Sequence, residues 1–260
     1  MFTRAFTSLF VVLISSGSAF ARSPIVVSDI DDTVRITNVL DFDEATRNLV
    51  LSRRVFPGMA KLYSFMARET GSLVFLSGTP KFLEPIVEDV LRENGFPPAR
   101  LYLWDLLPRP RTLGDFKRER LEDLDRASPE RTLLLVGDDA QKDPEIFSRF
   151  SLENPGSVQS IYIHRIVGRV APSGVKTYHT AFEIALREFS EGRISESEAR
   201  EVGIEVLTSD SQLVFPDFAE CPREVVYPTS SVIQSSSSLQ SLIHMSRKHW
   251  SRFCADRHKE

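Results

Sequence analysis

Five short apolar runs constrain this chain more than any other feature. "IVVS" (25–28), "LVFL" (73–76), "LYLW" (101–104), "TLLLV" (132–136) and "IYI" (161–163) do not alternate with polar residues, as expected of strands buried on both faces. Segments of helical period separate them. "PGMAKLYSFMARETG" opens on Pro57, places Met59, Leu62, Tyr63 and Met66 on one face, and stops at Gly71. "FLEPIVEDVLRENG" sets Phe82, Leu83, Ile86, Val87, Val90 and Leu91 at helical spacing and again ends on glycine. Shorter helices are predicted at "FKRERLEDLDRA" and "DPEIFSRF". Repeated strand, helix and strand predict a doubly wound, Rossmann-like α/β domain, with a parallel sheet and helices on both faces. Its reactive residues belong outside the carboxyl ends of the strands.

The 260 residues, 42% of them hydrophobic, suffice for one such core. A net charge of −4 leaves no global basic field, which argues against nucleic acid as a partner. Residues 1–21 read as a cleaved signal peptide: Arg4, then the apolar Phe6–Ile14, then small residues before a cut after Ala21. The apolar run is too short to span a bilayer. The mature protein is therefore expected to be exported, to the periplasm or the medium. The catalytic domain is expected over 22–175, with an irregular or helical C-terminal extension over 176–260. Within that extension, 229–241 is serine-rich and of low complexity, and reads as mobile. The basic end, with Trp250 and Phe253, suits either a solvated helix face or peripheral contact with an anionic membrane. Two cysteines, Cys221 and Cys254, permit one structural disulfide in an exported protein. His244, His249 and Cys254 are not spaced as a compact zinc site.

The strand ends carry the chemistry. The first run leads into Asp29, Asp31, Asp32 and Thr33. The second leads into Ser77 and Gly78, Lys117 begins the helix before the fourth run, and that run leads into Asp138, Asp139 and Asp143. A carboxylate attacks phosphorus without prior deprotonation, and a second carboxylate two residues on can move the proton. Crowded carboxylates need a hard cation, which magnesium supplies. A hydroxyl, backbone amides and a lysine then bind the phosphoryl oxygens. Each residue also has an ordinary reading: Asp29 and Asp31 as turn residues, Lys117 as a solvated helix lysine, Asp143 before Pro144 as a helix N-cap.

With these residues in place, the sequence resembles the haloacid-dehalogenase-like (HAD) superfamily of aspartyl-phosphate phosphatases, whose first motif is Asp-x-Asp-x-Thr at a strand end. Within it the chain is similar to the phosphatidate phosphatase catalytic domain of the actin-patch-associated type. The matching stretches are "SDIDDTVRIT", "VFPGMAKLY", "FLSGTPKFLEPIVEDVLRENGFPPARLYLWDL", "FKRERLEDL" and "LLLVGDDAQKDPEIF". By that resemblance Asp29 is the nucleophile and Asp31 the general acid/base. Ser77, Gly78 and Lys117 bind the phosphoryl group. Asp138 and Asp143 hold Mg2+ with the Asp29 carboxylate and the Asp31 carbonyl. The family reads Gly-Asp-Ser-Gly where this chain has Gly137-Asp138-Asp139-Ala140, so the residues leave open which carboxylates touch the metal. Lys81 stands where the family commonly has tryptophan.

The implied substrate is phosphatidate or a related lipid phosphomonoester. The short segment between Thr33 and Leu73 leaves room for only a minimal cap and predicts a weakly covered site. It carries Arg35, Arg53 and Arg54, placed either to meet an anionic headgroup or simply solvated. A phosphatase for soluble phosphomonoesters and a non-catalytic lipid- or phosphate-binding module are the competing readings.

Overall fold

A computed structural model describes residues 24–41, 52–68, 72–105 and 112–259. The expected leader and Gly71 lie outside them. The strands are β1 (Ile25–Ser28), β2 (Leu73–Pro80), β3 (Arg100–Trp104), β4 (Leu133–Asp138), β5 (Val158–His164) and β6 (Lys176–Tyr178). They form one sheet in the order β3-β2-β1-β4-β5-β6, with every pairing parallel. This is the doubly wound order, and its reversal puts β1 beside β4 at the centre. β1 is in register with both neighbours, Val27 facing Val74 of β2 and Leu135 of β4.

The missing alternation has a direct cause. Val26, Leu73, Phe75, Leu134, Val136 and Tyr162 point to one face, while Ile25, Val27, Val74, Leu76, Leu133, Leu135, Ile161 and Ile163 point to the other. Helices α1 (Met59–Met66) and α2 (Glu84–Glu93) cover the first face. α1 buries Met59, Leu62, Tyr63 and Met66, as the spacing predicts. α2 buries Val87, Val90 and Leu91, but Phe82 precedes it on a 3-10 turn (Lys81–Leu83) and is 76% exposed. Helices α3 (Leu113–Ala127) and α4 (Asp143–Glu153) cover the second face with Phe116, Leu121, Leu124, Phe147 and Phe150.

The C-terminal part adds one short strand and then helices. The boundary expected after residue 175 falls just before β6, a strand of the sheet. Helices α5 (Ala181–Ser190), α6 (Glu196–Thr208), α7 (Ser211–Val214), α8 (Ser231–Ser235) and α9 (Ser237–Arg257) share the first face's core. The serine-rich stretch, expected to be mobile, lies largely in two helices. Ser230 accepts from the Ile233 amide at 3.3 Å and Ser236 from the Leu239 amide at 3.1 Å, so serines start two helices, and Ile233 and Leu239 are fully buried. Trp250 is likewise buried, so it offers nothing to a membrane. Cys254 on α9 forms a disulfide with Cys221. No helix among the described residues is long and apolar enough to cross a membrane.

Candidate active site

Each site residue is placed by a local rule. Asp29 directly follows β1, and its amide donates to the Val136 carbonyl at 2.8 Å, tying it to β4. Asp138 ends β4. A capping box between Thr112 and Asp115 starts α3 at Leu113, so Lys117 falls on the buried face with Leu121 and Leu124 at i+4 and i+7. Asp143 is the first residue of α4, not its N-cap; Lys142 takes that position. Gly137 permits this approach, since a Cβ there would sit 2.5 Å from Asp143 Oδ2.

These elements converge on a closed electrostatic cluster. Lys117 Nζ donates to Asp29 Oδ1 at 2.7 Å and to Asp143 Oδ1 at 2.5 Å, with all three side chains essentially inaccessible to solvent. Carboxylate oxygens of Asp29, Asp138 and Asp143 lie within 4.8 Å of one another. Asp138 Oδ1 accepts from the Ala140 and Gln141 amides at 2.8 and 2.9 Å, and Thr33 Oγ1 donates to its Oδ2 at 3.4 Å. Burial raises the pKa of Asp29 well above the ordinary carboxylate value; the Lys117 ammonium opposes it, and Asp143 and Asp31 add to it. Asp138 is raised by burial and then by the charges of Asp143 and Asp29. Burial disfavours the Lys117 ammonium, but the two carboxylates outweigh it and hold the lysine protonated.

Three carboxylates gather here around one buried ammonium that bonds two of them. Asp29 Oδ2 and Asp143 Oδ2 are buried with no hydrogen-bond partner among the described residues. An all-oxygen set with unsatisfied anionic atoms fits a hard divalent cation such as magnesium.

Asp31 stands apart from this trio. Its Oδ2 accepts from Thr79 Oγ1 at 2.5 Å and Ser77 Oγ at 3.3 Å, while Oδ1 is buried without a partner. Ser77 also accepts from the Thr79 amide at 3.0 Å. Gly78 packs on Leu113, whose Cδ2 would be 2.8 Å from an added Cβ. Thr79 is a residue the sequence reading missed. Its signal was present in "LSGTP", where strand alternation puts residues 77 and 79 on one side.

The two remaining aspartates are structural. Asp32, with φ 56°, accepts from Thr37 N, Thr37 Oγ1, Asn38 N and Val39 N at 2.7 to 2.9 Å, and so folds the loop after β1. Asp139 accepts from the Ile166, Val167 and Arg169 amides, fixing the loop between β5 and β6. The carboxylates that could hold a metal ion together are Asp29, Asp138 and Asp143, and Asp139 is turned to the backbone. Arg35 is not solvated either. It is 1% exposed and its guanidinium donates to the Ser52 carbonyl at 2.8 Å, whereas Arg53 pairs with Glu93 on the surface. Where a weakly covered site is expected, the described side chains Asp29, Ser77, Lys117, Asp138 and Asp143 are almost fully buried.

The fold and the buried acidic cluster fit a phosphatase of the HAD-like class. A family model, the catalytic domain of phosphatidate phosphatase APP1, matches residues 24–165. The chain belongs to this family, and is an enzyme of the phosphatidate phosphatase type. Neither the curated proteins nor the solved structures contain a significant match to it.

Proposed function

We propose that this chain hydrolyses phosphatidate, or a related lipid phosphomonoester, through a covalent phospho-Asp29 and with magnesium. The observation that carries this reading is the unpartnered Asp29 Oδ2, in a carboxylate already oriented through Oδ1 by Lys117. The Asp29 carboxylate attacks phosphorus, and the bond from phosphorus to the glycerol oxygen breaks. Asp31, fixed by Thr79 and Ser77, gives its proton to that leaving oxygen from Oδ1. Asp31 then takes a proton from water as the water attacks the phospho-aspartate, releasing inorganic phosphate and restoring Asp29. Ser77, the Gly78 amide and Lys117 bind the phosphoryl oxygens. Held by Asp29, Asp138, Asp143 and the Asp31 carbonyl, magnesium would supply the charge that offsets the carboxylates and the phosphate.

Export is part of the same proposal. The leader supports it, and the Cys221–Cys254 disulfide suits an oxidising compartment.

The test is a phosphate-release assay on phosphatidate micelles and on soluble phosphomonoesters, with and without magnesium. Asp29→Asn should lower the rate by roughly 10^4-fold or more. Absence of lipid phosphate release by the unmodified protein, or an Asp29→Asn variant as fast as it, defeats the proposal. A higher rate on soluble esters assigns the substrate to that class instead.

A further inference from the structure

The carboxyl edge of the sheet, beside the buried site, carries an apolar rim. Nine large hydrophobic side chains stand exposed among the described residues, and four of them leave this one edge: Leu40 after β1, Phe82 after β2, and Val167 and Val170 after β5. Leu40 is 55% exposed, Phe82 76% and Val170 96%. Strands β2 and β5 are three strand spacings apart, so the rim spans about 15 Å at its base.

The tips stand beside backbone or side-chain groups held by hydrogen bonds. The Val39 amide, beside Leu40, is held by Asp32 at 2.7 Å. The Arg169 amide, beside Val170, is held by Asp139 at 2.8 Å. Phe82 sits on the 3-10 turn that follows Thr79, whose hydroxyl is held by Asp31. Pro80 pairs with Trp104 at the end of β3, and that indole is half-buried. Asp32 and Asp139, next to Asp31 and Asp138, thus hold the backbone beside two of these tips, and Asp31 itself holds the turn of the third. Lys81, Lys142 and Arg169 are exposed at the same edge, and Asp41 and Asp105 are exposed carboxylates there. Arg169 is pinned by the Gln141 and Ala140 carbonyls at 3.2 and 3.3 Å.

We propose that this rim docks on the surface of a phospholipid bilayer carrying anionic phosphomonoester headgroups, with Phe82 and Val170 inserted among the acyl chains and Lys81, Lys142 and Arg169 at headgroup level. Aliphatic and aromatic tips flanked by cations suit that layer, where the outer part is charged and the inner part apolar. The proposal rests on the lipid-phosphatase reading, and it moves the membrane contact from the tail, whose Trp250 is buried, to the catalytic edge.

The test is co-sedimentation of the full chain, without added metal, on phosphatidylcholine vesicles with and without phosphatidate. The protein should bind the phosphatidate-containing vesicles more strongly. Phe82→Ser combined with Val170→Ser should weaken binding about tenfold or more, the scale of lost apolar burial. Leu152→Ser with Val226→Ser, exposed elsewhere, should leave it unchanged. An independent measurement places a reporter: in a Trp104→Phe background, the fluorescence of Phe82→Trp should be quenched by brominated phosphatidylcholine, and that of Leu152→Trp should not. Equal binding by the rim variant and the parent overturns the proposal. So does quenching that is equal at the two positions. So does a rim variant that only converts a dimer of this chain to monomer. Vesicle docking without phosphate release under any condition would overturn the catalytic reading alone, and phosphate release from phosphatidate micelles without docking would overturn the rim alone.

Discussion

Lys117 shows how much depends on single atoms here. One buried ammonium serves two buried carboxylates, at 2.7 and 2.5 Å. Removing it strands both charges, a loss of about 3–5 kcal/mol for a broken buried pair. Lys117→Met should therefore abolish phosphate release and lower the melting temperature of the metal-free protein. Magnesium should raise that melting temperature more in the variant than in the parent, because the cation replaces missing positive charge; thermal melts across a magnesium titration check this. Asp31 and Asp29 are two residues apart in sequence, yet their surroundings differ. One carboxylate meets hydroxyls, the other an ammonium. That division follows from "LSGTP" and Lys117 lying on different elements, and it gives the two carboxylates different chemistry.

Elements meet at two junctions that set the site. At the first, β4 runs into α4 with Gly137 allowing Asp143 to lie against the strand. Gly137→Ala would force a contact of 2.5 Å, so the carboxylate must move. Activity should fall by roughly 10^2-fold, the scale for a misplacement of about 1 Å. The magnesium concentration for half-maximal rate should rise while the circular dichroism spectrum stays the same. At the second junction the loop between β5 and β6 meets the C-terminal part. Arg165 Nε donates to Glu220 Oε2 at 2.6 Å, and the Glu220 amide donates to the Ile166 carbonyl at 2.7 Å. The His179 ring faces Glu220 at 3.5 Å and Glu183 at 3.9 Å, ion-pair distances. Burial opposes its charge, but the two glutamates prevail and hold its pKa up at about 9. A histidine raised from 6.5 stabilises the fold fully below about pH 6.5, and that contribution is lost as pH rises through about 9. The melting temperature should fall by a few degrees over that window, and by much less in His179→Gln.

At the scale of the whole molecule, the C-terminal helices complete the core instead of trailing from it. The disulfide between Cys221 and Cys254 closes a separation of 33 residues. A loop of that length is worth about 3–4 kcal/mol in the chain-entropy account. Arg257 fastens the same region by donating to the Phe215, Pro216 and Ala219 carbonyls at 2.9 to 3.1 Å. The double substitution Cys221→Ser, Cys254→Ser should lower stability by about that amount while sparing the catalytic cluster. Denaturant unfolding of oxidised and reduced protein measures it.

The layered α/β architecture is written in the amino-acid order, because strands buried on both faces must be apolar throughout and helices on a sheet must repeat at 3.6 residues. That order also marks the candidate residues for phosphoryl transfer, since reactive groups of a doubly wound sheet gather at strand ends. Tertiary structure decided how the aspartates divide. Asp29, Asp138 and Asp143 meet only because β1, β4 and α4 pack side by side, while Asp32 and Asp139 turn away to hold loop amides. It also decided that the serine-rich stretch caps helices and that Phe82 faces outward. Those outcomes depend on long-range contacts, which local composition and periodicity do not encode.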